Sequence, residues 1–200
     1  MGMAASLTSI SDDNIDIILA NPPLIWRIIA PDDPETYFDA VDLNSKQGFF
    51  LKIFSKKNKK AKELPNINFL ENENKEIDLD KAWDGLNFCL NQNSSSFDSL
   101  LTFIIQGGED IGDIDIGYGP GRFFRDKTTK DIALLLNEWD ENKLRESYNP
   151  KKMEELDIYP NIWMTDNEEA FEYILDHFKV LKAFINECVK DNLGILIFLC

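Results

Sequence analysis

Gly107-Gly108-Glu109-Asp110-Ile111-Gly112-Asp113-Ile114-Asp115-Ile116-Gly117-Tyr118-Gly119-Pro120-Gly121-Arg122 holds six of the ten glycines of this 200-residue chain. Glycine reaches positive φ at no steric cost and Asp side chains bond nearby backbone amides, so the stretch reads first as a tight, irregular connection. Gly117 to Gly121 spells G-x-G-x-G rather than G-x-G-x-x-G and leads into the strand-like Arg122-Phe123-Phe124-Arg125. The dinucleotide fingerprint therefore fails, and Glu109, Asp110, Asp113 and Asp115 would repel a phosphate at close range. The same four acids suit a hard cation, but the Asp-x-Asp-x-Asp-Gly order and the closing glutamate of a calcium loop are missing, so no metal is assigned. A third reading turns Glu109, Asp115, Tyr118 and Arg122 into a cleft as ligand contacts. Arg122 is then either an internal partner for the acids or a fork for a substrate carboxylate.

Working outward, Leu100 to Ile105 reads as a buried strand feeding this segment. Before it, Asp78 opens a core helix in which Leu79, Ala82, Trp83, Leu86 and Leu90 fall at helical spacing, and 91–96 ends it. Residues 3–10 form an opening strand. Ser11 caps a helix carrying Ile15, Ile18 and Leu19; Asn21-Pro22 starts another, and Asp33-Pro34 a third through Val41. A turn at 44–48 and a strand or buried segment at 49–54 follow, then a polar stretch to Lys75.

After the glycine segment, Thr128, Asp140 and Asn149-Pro150 each start a short helix. Thr165-Asp166-Asn167-Glu168 is a capping box for a long helix with Phe171, Ile174, Leu175, Phe178, Leu181, Ile185 and Cys188 on one stripe, closed by Gly194. Ile195 to Leu199 is a continuous β-favouring run, as expected of a strand buried on both faces. The pattern predicts an α+β fold: one domain over 1–200, with a small mixed sheet that includes the C-terminal strand, several flanking helices, and a variable, insertion-like segment at about 31–76.

The formal charge of −15 argues against a nucleic-acid or anionic-membrane binder, because phosphate contact needs a basic surface. Residues 52–62 alone carry six lysines and no acid, which leaves −21 on the rest of the chain. That run reads as a solvated loop before it reads as a phosphate-seeking patch. Three cysteines without C-x-x-C spacing suggest neither disulfides nor a zinc site. With no apolar run of about 18 residues and no signal peptide, the expected location is the cytoplasm; Gly2 fits the short myristoylation pattern, which matches often by chance. His177, the one histidine, sits mid-helix beside the apolar stripe. No Ser-His or Cys-His pair is indicated, and no catalytic residue or cofactor is assigned.

Ile77-Asp78-Leu79-Asp80-Lys81-Ala82-Trp83-Asp84-Gly85-Leu86, Gly117 to Arg122, Ile158-Tyr159-Pro160 and the closing apolar strand together resemble the YfbM-like family of bacterial proteins of unknown function. The resemblance implies a single cytoplasmic α+β domain without an established activity. It marks Asp78, Asp80, Trp83, Tyr118, Arg122 and Tyr159 as the positions to inspect for a common cleft. Family members often carry histidine near the positions of Asp84 and Asn87, so a shared histidine-dependent reaction is in doubt here. Two functions remain in view. One is a non-enzymatic acidic protein that binds a basic partner, such as an immunity protein neutralising a toxin. The other is a metabolite-binding protein or enzyme with a cleft of Asp80, Trp83, Tyr118 and Arg122.

Overall fold

The apolar run at the C-terminus organises the molecule. In the computed structural model, which describes residues 2–46, 64–91 and 100–200, it forms the middle strand of a five-stranded sheet. The strands are β1 (Ala5–Ile10), β2 (Glu76–Asp78), β3 (Glu109–Asp115), β4 (Pro120–Phe124) and β5 (Gly194–Leu199), in the order β2-β1-β5-β4-β3. Eight α-helices accompany them among the described residues: α1 (Asp12–Ala20), α2 (Trp26–Ile29), α3 (Pro34–Lys46), α4 (Trp83–Asn91), α5 (Asp126–Asn137), α6 (Glu141–Ser147), α7 (Pro150–Glu155) and α8 (Asn167–Lys190). The fold is α+β, with the C-terminal strand inside the sheet.

Side chains alternate across a strand, so β5 feeds a core on each face. Ile195 and Ile197 join Leu7, the α4 and α5 residues Leu86 and Ile132, and the α8 stripe. Leu196 and Phe198 join Ile10, Phe123, and Ile15, Ile18 and Ile25 from the N-terminal helices. Strand and terminus are tied down together, since Ala4 and Cys200 exchange backbone hydrogen bonds of 2.7 and 2.9 Å.

All four strand pairings are antiparallel, where the sequence suggests a mixed sheet. The reason lies between β4 and β5. Lys130 meets Asn192, and Asn137 meets Asn186, so α5 and α8 run in opposite directions. Two opposed helical passes return the chain reversed; a single pass would have made a parallel pair.

Several local expectations shift for equally concrete reasons. Leu100 to Ile105 is a 3-10 turn and bend rather than a strand, and it buries Phe103 and Ile104. The first half of the glycine segment is the edge strand β3, which leaves only residues 116–119 as the turn of a hairpin. Within that turn Asp115 Oδ1 accepts from Gly117 N and Gly119 N at 3.1 and 3.2 Å, the backbone bonding expected of its Asp residues. Asp166, not Thr165, caps α8 by accepting from the amides of Glu168 and Glu169. Helix α5 begins at Asp126 instead of after Thr128, with Asp12 of the distant α1 accepting from the Asp126 amide. Ser11, Asp140 and Asn149 cap as their sequences indicate. Helix α3 continues past Val41 to Lys46, and α8 ends before Asn192, whose φ of 53° turns the chain into β5. The segment at 49–54, the lysine run and the 92–96 stretch lie outside the described residues.

Candidate functional site

Four of the eight sequence-marked residues meet at one end of the sheet. Asp78 closes β2, and its Oδ1 accepts from Asp80 N at 2.6 Å. That bond holds Asp80 at a φ of 43°, a left-handed conformation uncommon for a residue with a Cβ. Asp80 Oδ2 then accepts from the Tyr173 hydroxyl at 2.8 Å, while that hydroxyl accepts from Lys81 N at 3.1 Å. Burial, reinforced by the bond to Asp80, holds the Tyr173 phenol well above its ordinary range. Trp83 and Tyr159 stack with ring centres 5.8 Å apart. Between them they grip the first residues of the chain: Trp83 Nε1 donates to Met3 O at 3.2 Å, and Met3 N donates to the Tyr159 hydroxyl at 2.9 Å. A Cβ on Gly2 would lie 2.7 Å from Lys81 Cε and from the Tyr159 oxygen, so the clasp accepts glycine there. Asp84 Oδ2 fixes the loop by accepting from Tyr159 N at 3.0 Å, and burial raises the pKa of this carboxyl. The polar atoms named in this cluster are thus engaged with the chain's own backbone, apart from the side-chain bond between Tyr173 and Asp80.

Asp115 and Tyr118 belong to the same end of the sheet, across the β1–β5 pair. The Tyr118 amide donates to Leu199 O at 3.0 Å and its ring is exposed. Arg122 and Glu109 point elsewhere. The Arg122 guanidinium donates to three backbone carbonyls, Ile104 at 2.8 Å, Gly107 at 2.9 Å and Phe103 at 3.2 Å. Burial lowers its pKa, and the Coulombic effect of Asp110 opposes the shift. Its donors hold the 103–107 bend against the sheet. Glu109, opposite Phe123, borders a groove of about 700 Å³ at the far end of β4, walled by Phe103, Gly107, Gly108, Phe124 and Arg125. Arg125 at its rim bonds Asp16 at 2.7 Å.

A second groove, of about 360 Å³, escaped the sequence reading altogether. It runs between α3 and the edge strand β3, with Trp26, Leu43 and Ile114 as apolar wall and Asp39, Asp113 and Asp115 as acidic rim. Thr36, Asp39, Ala40 and Leu43 recur at helical spacing on the face of α3 that lines it. That spacing is legible in the sequence; the other wall is not, because residues 109–115 carry the acids and glycine of a loop.

Reactive groups are sparse in the described part. His177 Nδ1 lies 2.8 Å from Tyr173 O, one turn back on its own helix. Burial pushes the thiols of Cys89 and Cys188 up to about 12. Among the described residues no trio of His, Cys, Asp or Glu is placed to hold a metal ion, and no helix is long and apolar enough to cross a membrane.

A family model described as a domain of unknown function, DUF1877, matches residues 1–198. The chain belongs to this family. Protein YfbM of Escherichia coli (strain K12) is 26% identical over 149 residues, which is 68% of this chain and 88% of that protein. The crystal structure of YfbM from Escherichia coli, titled as a protein of unknown function, superposes over 98% of this chain and 99% of its own with a TM-score of 0.61 at 16% identity. At that identity the likeness concerns the fold alone.

Proposed function

We propose that this member of the family is a non-enzymatic binding protein of the cytoplasm whose acidic face grips a basic protein partner. One observation carries the reading: the distribution of charge. Residues 12–46 and 109–115, which build α1 to α3 and the edge strand, hold twelve acids against two bases, a net of −10. Such a field raises the on-rate of a basic partner and repels nucleic acid and anionic lipid. An immunity protein that masks a basic toxin is the form of this activity that the charge suits best. The test is association of the purified protein with the product of the adjacent reading frame, followed by size exclusion at low and high salt. A complex that forms at low salt and dissociates at high salt supports the reading; absence of any complex refutes it.

The groove of about 700 Å³ favours a second reading, a small-molecule site, because its size falls within the range of ligand pockets. Arg122 contributes no free fork to such a site, since its donors already meet the carbonyls of Phe103, Ile104 and Gly107. A thermal-shift screen against metabolites addresses this reading, and the absence of any stabilising compound removes it.

A further inference from the structure

We infer that the groove between α3 and β3 receives an arginine side chain from a basic segment of the partner; the inference rests on the proposed reading and names where that partner docks. The groove combines two kinds of wall. Trp26, Leu43 and Ile114 offer an indole and two aliphatic side chains, while Asp39, Asp113 and Asp115 stand at the rim. Among the described residues no lysine, arginine or histidine lines it. Among the described residues Asp39 and Asp113 have no ion-pair partner, whereas the nearby acids Asp12 and Asp16 already face Arg125. Asp115 spends one oxygen on the turn amides and keeps the other.

This chemistry selects its occupant. A guanidinium stacks on an indole face and forks to a carboxylate, and its methylene stem lies along aliphatic walls. A neutral apolar side chain would use the apolar wall alone and gain nothing from the exposed rim carboxylates, and an anion would be repelled by all three. The volume of about 360 Å³ is small for a folded element and ample for a side chain with its flanking backbone.

Trp26 also supplies the readout, because it is the partly exposed tryptophan while Trp83, Trp139 and Trp163 are buried. The probe is a short acetylated peptide carrying Arg-Lys-Arg, compared with the same peptide bearing citrulline in place of arginine. Three proteins are titrated by fluorescence and calorimetry: the unaltered chain, the double variant Asp39→Asn/Asp113→Asn, and Asp131→Asn on the distant α5 as a control. Neither Asp39 nor Asp113 holds a fold-critical bond, and circular dichroism checks that the fold persists. The arginine peptide is expected to bind in a salt-sensitive way and to change the tryptophan emission. The double variant should weaken it by about tenfold, Asp131→Asn should not, and the citrulline peptide should fail. Salt-sensitive binding that ignores the double variant and leaves the emission flat overturns the groove while sparing the acidic-face reading. No salt-sensitive binding of the arginine peptide overturns both.

Discussion

Replacing Arg122 by alanine removes the guanidinium that hydrogen-bonds the 103–107 bend to the sheet. The carbonyls of Phe103 and Ile104 sit in a buried bend and lose their charged donor, while that of Gly107 lies near solvent and finds water. A buried acceptor left unsatisfied costs about 1–3 kcal/mol, so two of them cost about 2–4 kcal/mol after partial rehydration. A chain of this size loses about 2 kcal/mol of stability per molar urea, so the unfolding midpoint should fall by about 1–2 M with an unchanged slope. Arg122→Lys should recover less than half, because an ammonium cannot reach three carbonyls from one planar fork. Urea titrations followed by circular dichroism measure both variants. A loss below about 0.5 kcal/mol for Arg122→Ala, the range of ordinary surface substitutions, would show that the bend holds without the guanidinium and refute the structural assignment.

Three further perturbations test other joints. Gly85→Ala places a Cβ 2.5 Å from Trp163 Cη2 and 3.1 Å from Ile174 Cδ1, and the fully buried Trp163 is pinned through its Nε1 bond to Ile158 O. The overpacking penalty of about 1–3 kcal/mol should therefore exceed the gain of about 1 kcal/mol in helix propensity, and thermal melts should show a net loss. Glu73→Gln should destabilise by about 2 kcal/mol in urea titrations. The buried carboxylate accepts from Ser11 N, Ser11 Oγ, Asn14 Nδ2 and Leu70 N, and an amide nitrogen cannot accept in its place. Asp84 gives a pH signature. Its folded pKa is raised, so the folded state favours the protonated carboxyl and loses stability as the pH climbs from the ordinary carboxylate value of 3.8 through the raised one. Asp84→Asn, which keeps an acceptor for Tyr159 N, should thus melt progressively higher than the unaltered protein on going from acid to neutral pH. A difference that stays constant across that range contradicts the assignment.

Features set by local chemistry could be read before the fold was known. The α8 stripe from Phe171 to Cys188 and the run Ile195 to Leu199 announce their burial by period and by composition, and the structure places the stripe in one core and the run between both. Features set across the chain could not. Asp12 caps a helix more than a hundred positions away, and Arg122 straightens no loop of its own but anchors a bend that precedes it. Residues 109–115 carry four acids and a glycine in seven positions, too polar a run to signal a strand. They become one because β4 supplies partners on one side, while exposure on the other keeps the acids solvated and the edge charged. Asp78, Asp80, Trp83 and Tyr159, four of the positions that the resemblance marks, lie together, while Arg122 lies apart, and what Trp83 and Tyr159 grip, the backbone of Met3, is invisible from spacing.

The acidity of α1 to α3 and the edge strand is the claim on which the functional account turns. Its most direct test is the dissociation constant of the protein for the product of the adjacent reading frame, measured by calorimetry over a salt series. The account predicts a constant that rises steeply with ionic strength and rises again when Asp39 and Asp113 are neutralised. A complex indifferent to salt and to both carboxylates would contradict it.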